Sequence, residues 1–157
     1  MKYTMPQTGT IQWMCVRPER RAPVQVIYDV MATTDGGLAG DHYAGESGDR
    51  HVTLIQAEHL WAVAAILGID KLDPALTRRN IVVGGVNLLA FSGQRFQIGG
   101  AVLEMTGQCH PCSRMEENLG PGGYNAMLGH GGITARVVKG GRIRVDDEVQ
   151  LMPNGNE

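Results

Sequence analysis

Two cysteines three residues apart, in Cys109-His-Pro-Cys112, are the residues best placed to do chemistry. Ala101 to Met105 before them is an apolar run that predicts a strand. After them, Ser113 and Glu116 have the spacing of a capping box, Met115 and Leu119 share one face, and Gly120 can stop the helix. Cys112 is then expected just outside a helix start, where unpaired N–H groups and the helix dipole favour an anion. A thiol so placed is favoured as thiolate, able to act as nucleophile or metal ligand. Pro111 stiffens the approach and removes one donor.

The pair admits more than one chemistry. A C-x-x-C between strand and helix is the arrangement of thioredoxin-like dithiols, but no regular βαβ order surrounds it. A zinc site needs two further ligands, and His42, His51, His59, His110 and His130 lack paired spacing. Cys15 lies in a strand pattern and reads as a small core residue.

Other candidates are polar. Arg17, Arg20 and Arg21 form one basic cluster, and Arg78 and Arg79 with Asn80 form a second. Guanidinium forks suit phosphate or carboxylate. Asp41-His42, set among glycines, can serve as an acid–base pair or as a ligand-orienting pair. Paired glycines elsewhere read as turns, without the spacing of a nucleotide loop.

Composition limits the partners. The 157 residues carry a formal charge of -2, which gives no case for nucleic-acid binding. Lysine occurs only at 2, 71 and 139, so arginine supplies most of the positive charge. Three cysteines are too few for a secreted disulfide scaffold, and the N-terminus has no apolar signal core. No run approaches the ~20 apolar residues of a membrane span. The expectation is a single cytoplasmic domain over 1–157 with no membrane partner.

The elements that must position these residues are short. Strands are expected at Thr10 to Val16, Val24 to Met31, Arg50 to Ile55, Ile81 to Val86, Arg95 to Ile98 and Ala101 to Met105. Ile133 to Val138 and Ile143 to Met152 are read as a final hairpin across Gly140-Gly141. Leu60, Trp61, Ala64 and Leu67 give a helix over Ala57 to Leu67, stopped by Gly68. Short helices are expected at Asp73 to Arg78 and Gly122 to Leu128. Thr33 to Gly48 reads as a long glycine-rich loop, and Pro153 to Glu157 as a frayed tail. This predicts a mainly β or α+β domain, a barrel or curled sheet with few helices.

In order and spacing, a set of motifs resembles a small stand-alone MOSC domain, the module named after the C-terminal part of molybdenum cofactor sulfurase. They are Arg17-Pro with Arg20-Arg21-Ala-Pro23, Gly37-Leu-Ala-Gly-Asp-His42 and Arg50-His-Val-Thr-Leu54. Further along come Arg78-Arg-Asn-Ile-Val82, Gly85-Val-Asn-Leu88, Phe96-Gln-Ile-Gly99, Pro111-Cys112 and Gly131-Gly-Ile-Thr-Ala-Arg-Val137. The similarity covers about 16–151.

The resemblance implies a β-barrel-like fold and a link to molybdenum cofactor (molybdopterin), a pterin with a dithiolene and a terminal phosphate. Cys112 matches the family's cysteine, which ligates molybdenum or carries sulfur as a persulfide. Arg78 and Asn80 match the pair that holds the phosphate. Arg79, Arg20 and Arg21 extend that cationic set, and Arg50 and His42 fall in another polar motif. One implied activity is reduction of N-hydroxylated small molecules, with electrons from an external reductase. Another is sulfur carriage from a partner cysteine desulfurase, which would hold the pyridoxal phosphate that this chain lacks a motif for. Cys109 also leaves open a Cys109–Cys112 dithiol oxidoreductase. Val145-Asp-Asp-Glu148 departs from the family's usual Gly-Asp before the last strand, so a differently formed turn is expected there.

Overall fold

The computed structural model describes residues 1–42 and 48–153. The expected loop residues Tyr43 to Ser47, and the tail from Asn154, lie outside the described residues.

Seven strands close a mixed barrel. They are β1 (Gly9–Val16), β5 (Val52–Gln56), β6 (Ile81–Gly84), β7 (Arg95–Ile98), β8 (Ala101–Gln108), β9 (Ile133–Lys139) and β11 (Glu148–Leu151). Their order round the barrel is β1-β6-β5-β9-β8-β7-β11, and β11 pairs back with β1. Among the described strands, only β5 and β6 run parallel, with the α1 connection between them. That crossover is what a parallel pair requires. β2 (Gln25–Ile27) adds to β1 at the barrel margin, while β3 (Asp29–Thr33), β4 (Gly37–Leu38) and β10 (Gly141–Arg144) make a separate small sheet.

Period-two alternation fills the barrel. Phe96 and Ile98 point in while Arg95 and Gln97 point out. Met14, Leu54, Ile81, Leu103 and Phe91 pack in the same interior cluster. Each such side chain contributes about 1.5–3 kcal/mol on burial. β5 is buried along its whole length because both its faces are covered. Its Val52 and Leu54 face the barrel, and Ile55 faces a second core under the helices.

That second core is built by α1 (Ala57–Leu67), α2 (Ser113–Leu119) and α3 (Gly123–Met127) against the outer barrel wall. Leu60, Val63, Met115 and Met127 fill it, with Val82 supplied by β6. α1 has the predicted bounds, and Gly68 ends it in the left-handed region (φ 73°) with its N–H on the Ala64 and Ala65 carbonyls. Trp61 departs from the expected face: Val63 takes the buried position and Trp61 is 65% exposed.

Three further expectations are corrected. Val24 to Met31 is not one strand: the chain breaks at Tyr28, sending β2 to the barrel and β3 to the small sheet. Gly37-Leu38, expected within a loop, pairs with β3. The final hairpin does not form. β9 pairs with β8 and β5, whereas β10 crosses to β3. The cause is a close backbone crossing, in which Gly100 donates to the Arg142 carbonyl (2.8 Å) and Gly141 packs on the Gly100 carbonyl. At the departing turn, Asp146 adopts φ 78°, the region glycine favours, so the aspartate supplies the backbone shape itself.

Candidate functional site

The site lies on the outer wall of the barrel, beside the helix layer. Two strand ends meet there. β1 delivers Cys15 and then Arg17, and the approach to β6 delivers Arg78, Arg79 and Asn80. A 3-10 turn, Pro74–Thr77, precedes them. Asp73 caps it by accepting from the Ala75 amide (3.0 Å), and Pro74 starts it. Arg78 ends the turn in the left-handed region (φ 57°), an uncommon conformation that a non-glycine residue holds only when its surroundings fix it.

Asn80 is fully buried and saturated. Its Oδ1 accepts from the Thr53 amide (3.0 Å), the Thr53 hydroxyl (3.1 Å) and Arg17 Nη2 (3.3 Å). Its Nδ2 donates to the Cys15 carbonyl (3.1 Å) and to Asp41 Oδ1 (3.3 Å). Asp41 has a fully buried side chain that takes the Arg17 amide (2.7 Å), Nε (3.1 Å) and Nη2 (3.0 Å). His42 completes the clasp: its amide (2.7 Å) and Nδ1 (2.9 Å) both donate to the Arg17 carbonyl. Asp41 and His42 therefore grip Arg17 from two sides.

Arg78 and Arg79 are only partly used. Arg78 Nη1 donates to the Ala22 carbonyl (2.7 Å), which ties down the Arg20-Arg21 turn. Arg79 Nε donates to the Gly131 carbonyl (2.7 Å) and Nη1 to the Thr77 carbonyl (3.1 Å). Among the described residues, Nη2 of each is buried without a hydrogen-bond partner. A buried unpaired donor on a cation is costly, so each leaves a guanidinium N–H for an anion to satisfy.

The electrostatics agree. Burial first, then the nearby charges of Arg114 and Arg17, hold the Arg78 pKa below the usual arginine range. Burial does the same to Arg79, which also lies within electrostatic reach of Arg17, Arg50, Cys109 and Cys112. Arg17, bonded to Asp41, is thus shared by two groups of guanidinium charges, Arg78 with Arg114 and Arg79 with Arg50.

The thiols sit against this cluster. The Cys109 amide donates to the Gly132 carbonyl (2.8 Å), which pins the start of the cysteine segment to β9. Gly131 is obligatory there, because a Cβ would overlap the Cys109 carbonyl oxygen. Cys109 is buried and Cys112 is exposed. Cys112 itself is the N-cap of α2, its carbonyl accepting from the Met115 amide (2.9 Å). The expected Ser113–Glu116 capping box is absent, since Ser113 is already inside the helix. Glu116 instead reaches forward to the Gly122 (3.0 Å) and Tyr124 (2.9 Å) amides, which hold its carboxyl below the usual range. Cys15 is a core thiol: burial pushes it up to about 12, and it donates to the Arg79 carbonyl (3.1 Å).

Mild alkylation should therefore modify one thiol of three. Cys112 is expected to react first, and Cys15 and Cys109 only when urea opens the fold. Mass spectrometry after brief iodoacetamide treatment checks this, and modification of Cys15 at the same rate would contradict it.

Of the sequence-derived candidates, Asp41, His42, Arg78, Arg79, Asn80, Arg50, Cys109 and Cys112 come together. Arg20 and Arg21 are exposed on the adjoining turn, with Arg21 at φ 65°. Sequence reasoning missed Arg114 and Thr53, and gave Arg17 no role apart from its cluster. Proximity to Cys112 pointed to Arg114. Nothing local pointed to Thr53.

The residues present fit an anionic, metal-bearing group. The orphaned Arg78 and Arg79 nitrogens suit a phosphate, and an exposed thiol stands within electrostatic reach. No group of three or more His, Cys, Asp or Glu side chains among the described residues could hold a metal alone. A metal here would need donors from a cofactor besides Cys112.

Such a closed mixed barrel, with a thiol over an arginine cluster on its outer wall, defines a class of domain. The profile of the MOSC domain matches residues 35–150, and the chain belongs to that family. Membership makes this a molybdenum-cofactor-related domain. The Arg17 to Pro23 segment, part of the sequence resemblance, lies before the matched region. The fold is similar to the YuaD protein from Bacillus subtilis, with TM-score 0.80, 18% identity, and coverage of 91% of this chain and 94% of that one. It is also similar to YiiM from Escherichia coli (TM-score 0.71, 18% identity, 95% and 71% covered). YiiM from Geobacillus stearothermophilus gives TM-score 0.74 at 17% identity, with 94% and 76% covered. No curated protein matches the sequence. No helix among the described residues is long and apolar enough to cross a membrane.

Proposed function

We propose that the domain binds molybdenum cofactor, with Cys112 as the protein's ligand to molybdenum, and reduces N-hydroxylated small molecules. The observation that carries this reading is the buried, unpartnered Nη2 of Arg78 and of Arg79, with Arg79 within electrostatic reach of the exposed Cys112. Arg78 and Arg79 hold the cofactor's phosphate. Asp41, Asn80 and His42 act one step back, holding Arg17 in place beside Arg78 and Arg79. Arg50 and Arg114 add further positive potential. The glycine backbone at Gly131 lets the Cys109–Cys112 segment lie close to Arg79.

When bound, the cofactor supplies two-electron removal of oxygen. Converting N–OH to N–H consumes two electrons and two protons and releases water. The electrons come from a separate reductase, since no flavin or haem motif is present in the sequence. Cys112 is exposed, so its sulfur is accessible as the ligand of a soft metal.

The test is anaerobic reduction of a hydroxylaminopurine by metal-loaded protein with a chemical electron donor. Turnover lost in Cys112→Ser supports the proposal, and turnover unchanged in that variant contradicts it. Cyanide-labile sulfur on Cys112, without metal or turnover, would replace it with the sulfur-carrier reading.

A further inference from the structure

We propose that Arg114, carried by α2, joins Arg78 in binding the phosphate of the ligand, and that Asn118 positions it. This role rests on the cofactor reading for the identity of the anion. α2 packs on the 3-10 turn Pro74–Thr77 that leads into Arg78 and Arg79. The turn has four carbonyls, and each has a donor. The Thr77 hydroxyl donates to Pro74 (2.8 Å), the Arg78 amide to Ala75 (3.2 Å) and Arg79 Nη1 to Thr77 (3.1 Å). The fourth carbonyl, that of Leu76, accepts from Asn118 Nδ2 of α2 (2.9 Å). Asn118 thus ties the helix to the turn. Arg114 lies one helical turn before Asn118, so the two share the face turned to Arg78.

Two features point to a shared anion. First, Arg114 is half-buried, and no hydrogen bond or ion pair engages it among the described residues. After burial, its charge is the largest influence depressing the Arg78 pKa. Two guanidinium groups in reach of one another, with no carboxylate bonded to either, repel. An anion bonded to both turns that repulsion into attraction. Second, Arg78 Nη2 is buried and unpartnered, so a donor is already in place on one side. The Arg114 fork supplies donors from the other. The Asn118 bond holds α2 against the turn despite the repulsion. Cys112 caps the same helix, so one short element sets both the thiol and the second phosphate donor relative to Arg78.

Inorganic phosphate is the probe, titrated calorimetrically at low salt into metal-free protein, with circular dichroism to confirm folding of each variant. Arg114→Ala should weaken binding about tenfold, the scale of a lost charge-assisted hydrogen bond. Arg114→Lys keeps the charge without the fork and should fall between that variant and the parent. Asn118→Ala should weaken binding about threefold, as loss of one neutral hydrogen bond does, and only while Arg114 is present. In the Arg114→Ala background it should change nothing, whereas a purely structural role would lower affinity in both. Arg95→Ala controls for diffuse charge: that exposed arginine is bonded to Glu104 on the barrel wall, and its loss should change affinity less than about twofold. A parent that does not bind phosphate overturns the proposal. So does an Arg114→Ala effect no larger than that of Arg95→Ala, or an Asn118→Ala effect that persists without Arg114. Phosphate bound through Arg114 by a protein that never loads molybdenum would sink the cofactor reading alone. Molybdenum loading with phosphate affinity indifferent to Arg114 would sink only the role given to Arg114.

Discussion

Asp41→Ala is expected to destabilise the domain by about 3–5 kcal/mol. The carboxylate is fully buried and accepts four hydrogen bonds, three from Arg17 and one from Asn80. Without it, the Arg17 guanidinium, only 13% exposed, keeps its positive charge beside Arg78 and Arg79 with no counter-charge. Asn80 loses one partner, although its bonds to Cys15 of β1 and Thr53 of β5 do not involve Asp41. For a domain of this size the loss corresponds to a fall in melting temperature of roughly 6–20 °C. Calorimetry on parent and variant measures it. A change below 1 °C would mean that the clasp on Arg17 contributes nothing net. Arg20→Ala is the useful contrast, because that side chain is exposed and its removal should leave stability within about 0.5 kcal/mol.

The second large effect is purely geometric. Gly132→Ala should cost about 4–5 kcal/mol or more, the upper end for a single substitution. Gly132 has φ 87°, and a Cβ there would overlap the Leu54 carbonyl oxygen and come within 3.1 Å of Ile55 Cα. Those atoms belong to β5, whose Leu54 pairs with Ile133. No side chain can swing aside, so the strands themselves must part. The same movement would pull the Gly132 carbonyl from the Cys109 amide and loosen the cysteine segment. Gly129→Ala separates strain from overlap. Gly129 also has positive φ (78°), but open space surrounds its Cβ position, so the change should cost only about 1–2 kcal/mol. Urea denaturation of both variants checks the difference. Equal midpoints would show that backbone strain alone matters.

What the sequence disclosed was local. α1 could be read to the residue because its apolar spacing and its glycine stop are both within the segment. The β7–β8 hairpin and the Asp73–Pro74 start of the 3-10 turn were legible for the same reason. The barrel's closure was not. β11 pairs with β1 at the far end of the chain, and no turn signal encodes that meeting. Gly140-Gly141 looks like a hairpin turn, yet Gly141 is needed where the chain crosses the Gly99-Gly100 turn and Gly140 where it passes the Ala32 carbonyl.

The site divides in the same way. Cys112, Arg78, Arg79, Asn80, Asp41 and His42 could be named from residue type, spacing and family resemblance. Their tasks could not. The capping-box spacing of Ser113 and Glu116 suggested a helix cap, whereas Glu116 binds the next helix's approach. Asp41-His42 looked like an acid–base pair, but each spends its hydrogen bonds on Arg17 or on Asn80. The buried amide of Asn80 bridges three strands' worth of backbone, a role that only the assembled barrel defines.

The most direct test of cofactor binding is molybdenum per chain, measured on protein made in a host that synthesises molybdenum cofactor. Parent, Cys112→Ser and Arg78→Ala are compared. The account predicts near-stoichiometric metal in the parent and its loss in both variants, with folding intact in Cys112→Ser because that thiol is exposed. A parent free of molybdenum, or one whose metal survives both substitutions, would contradict it.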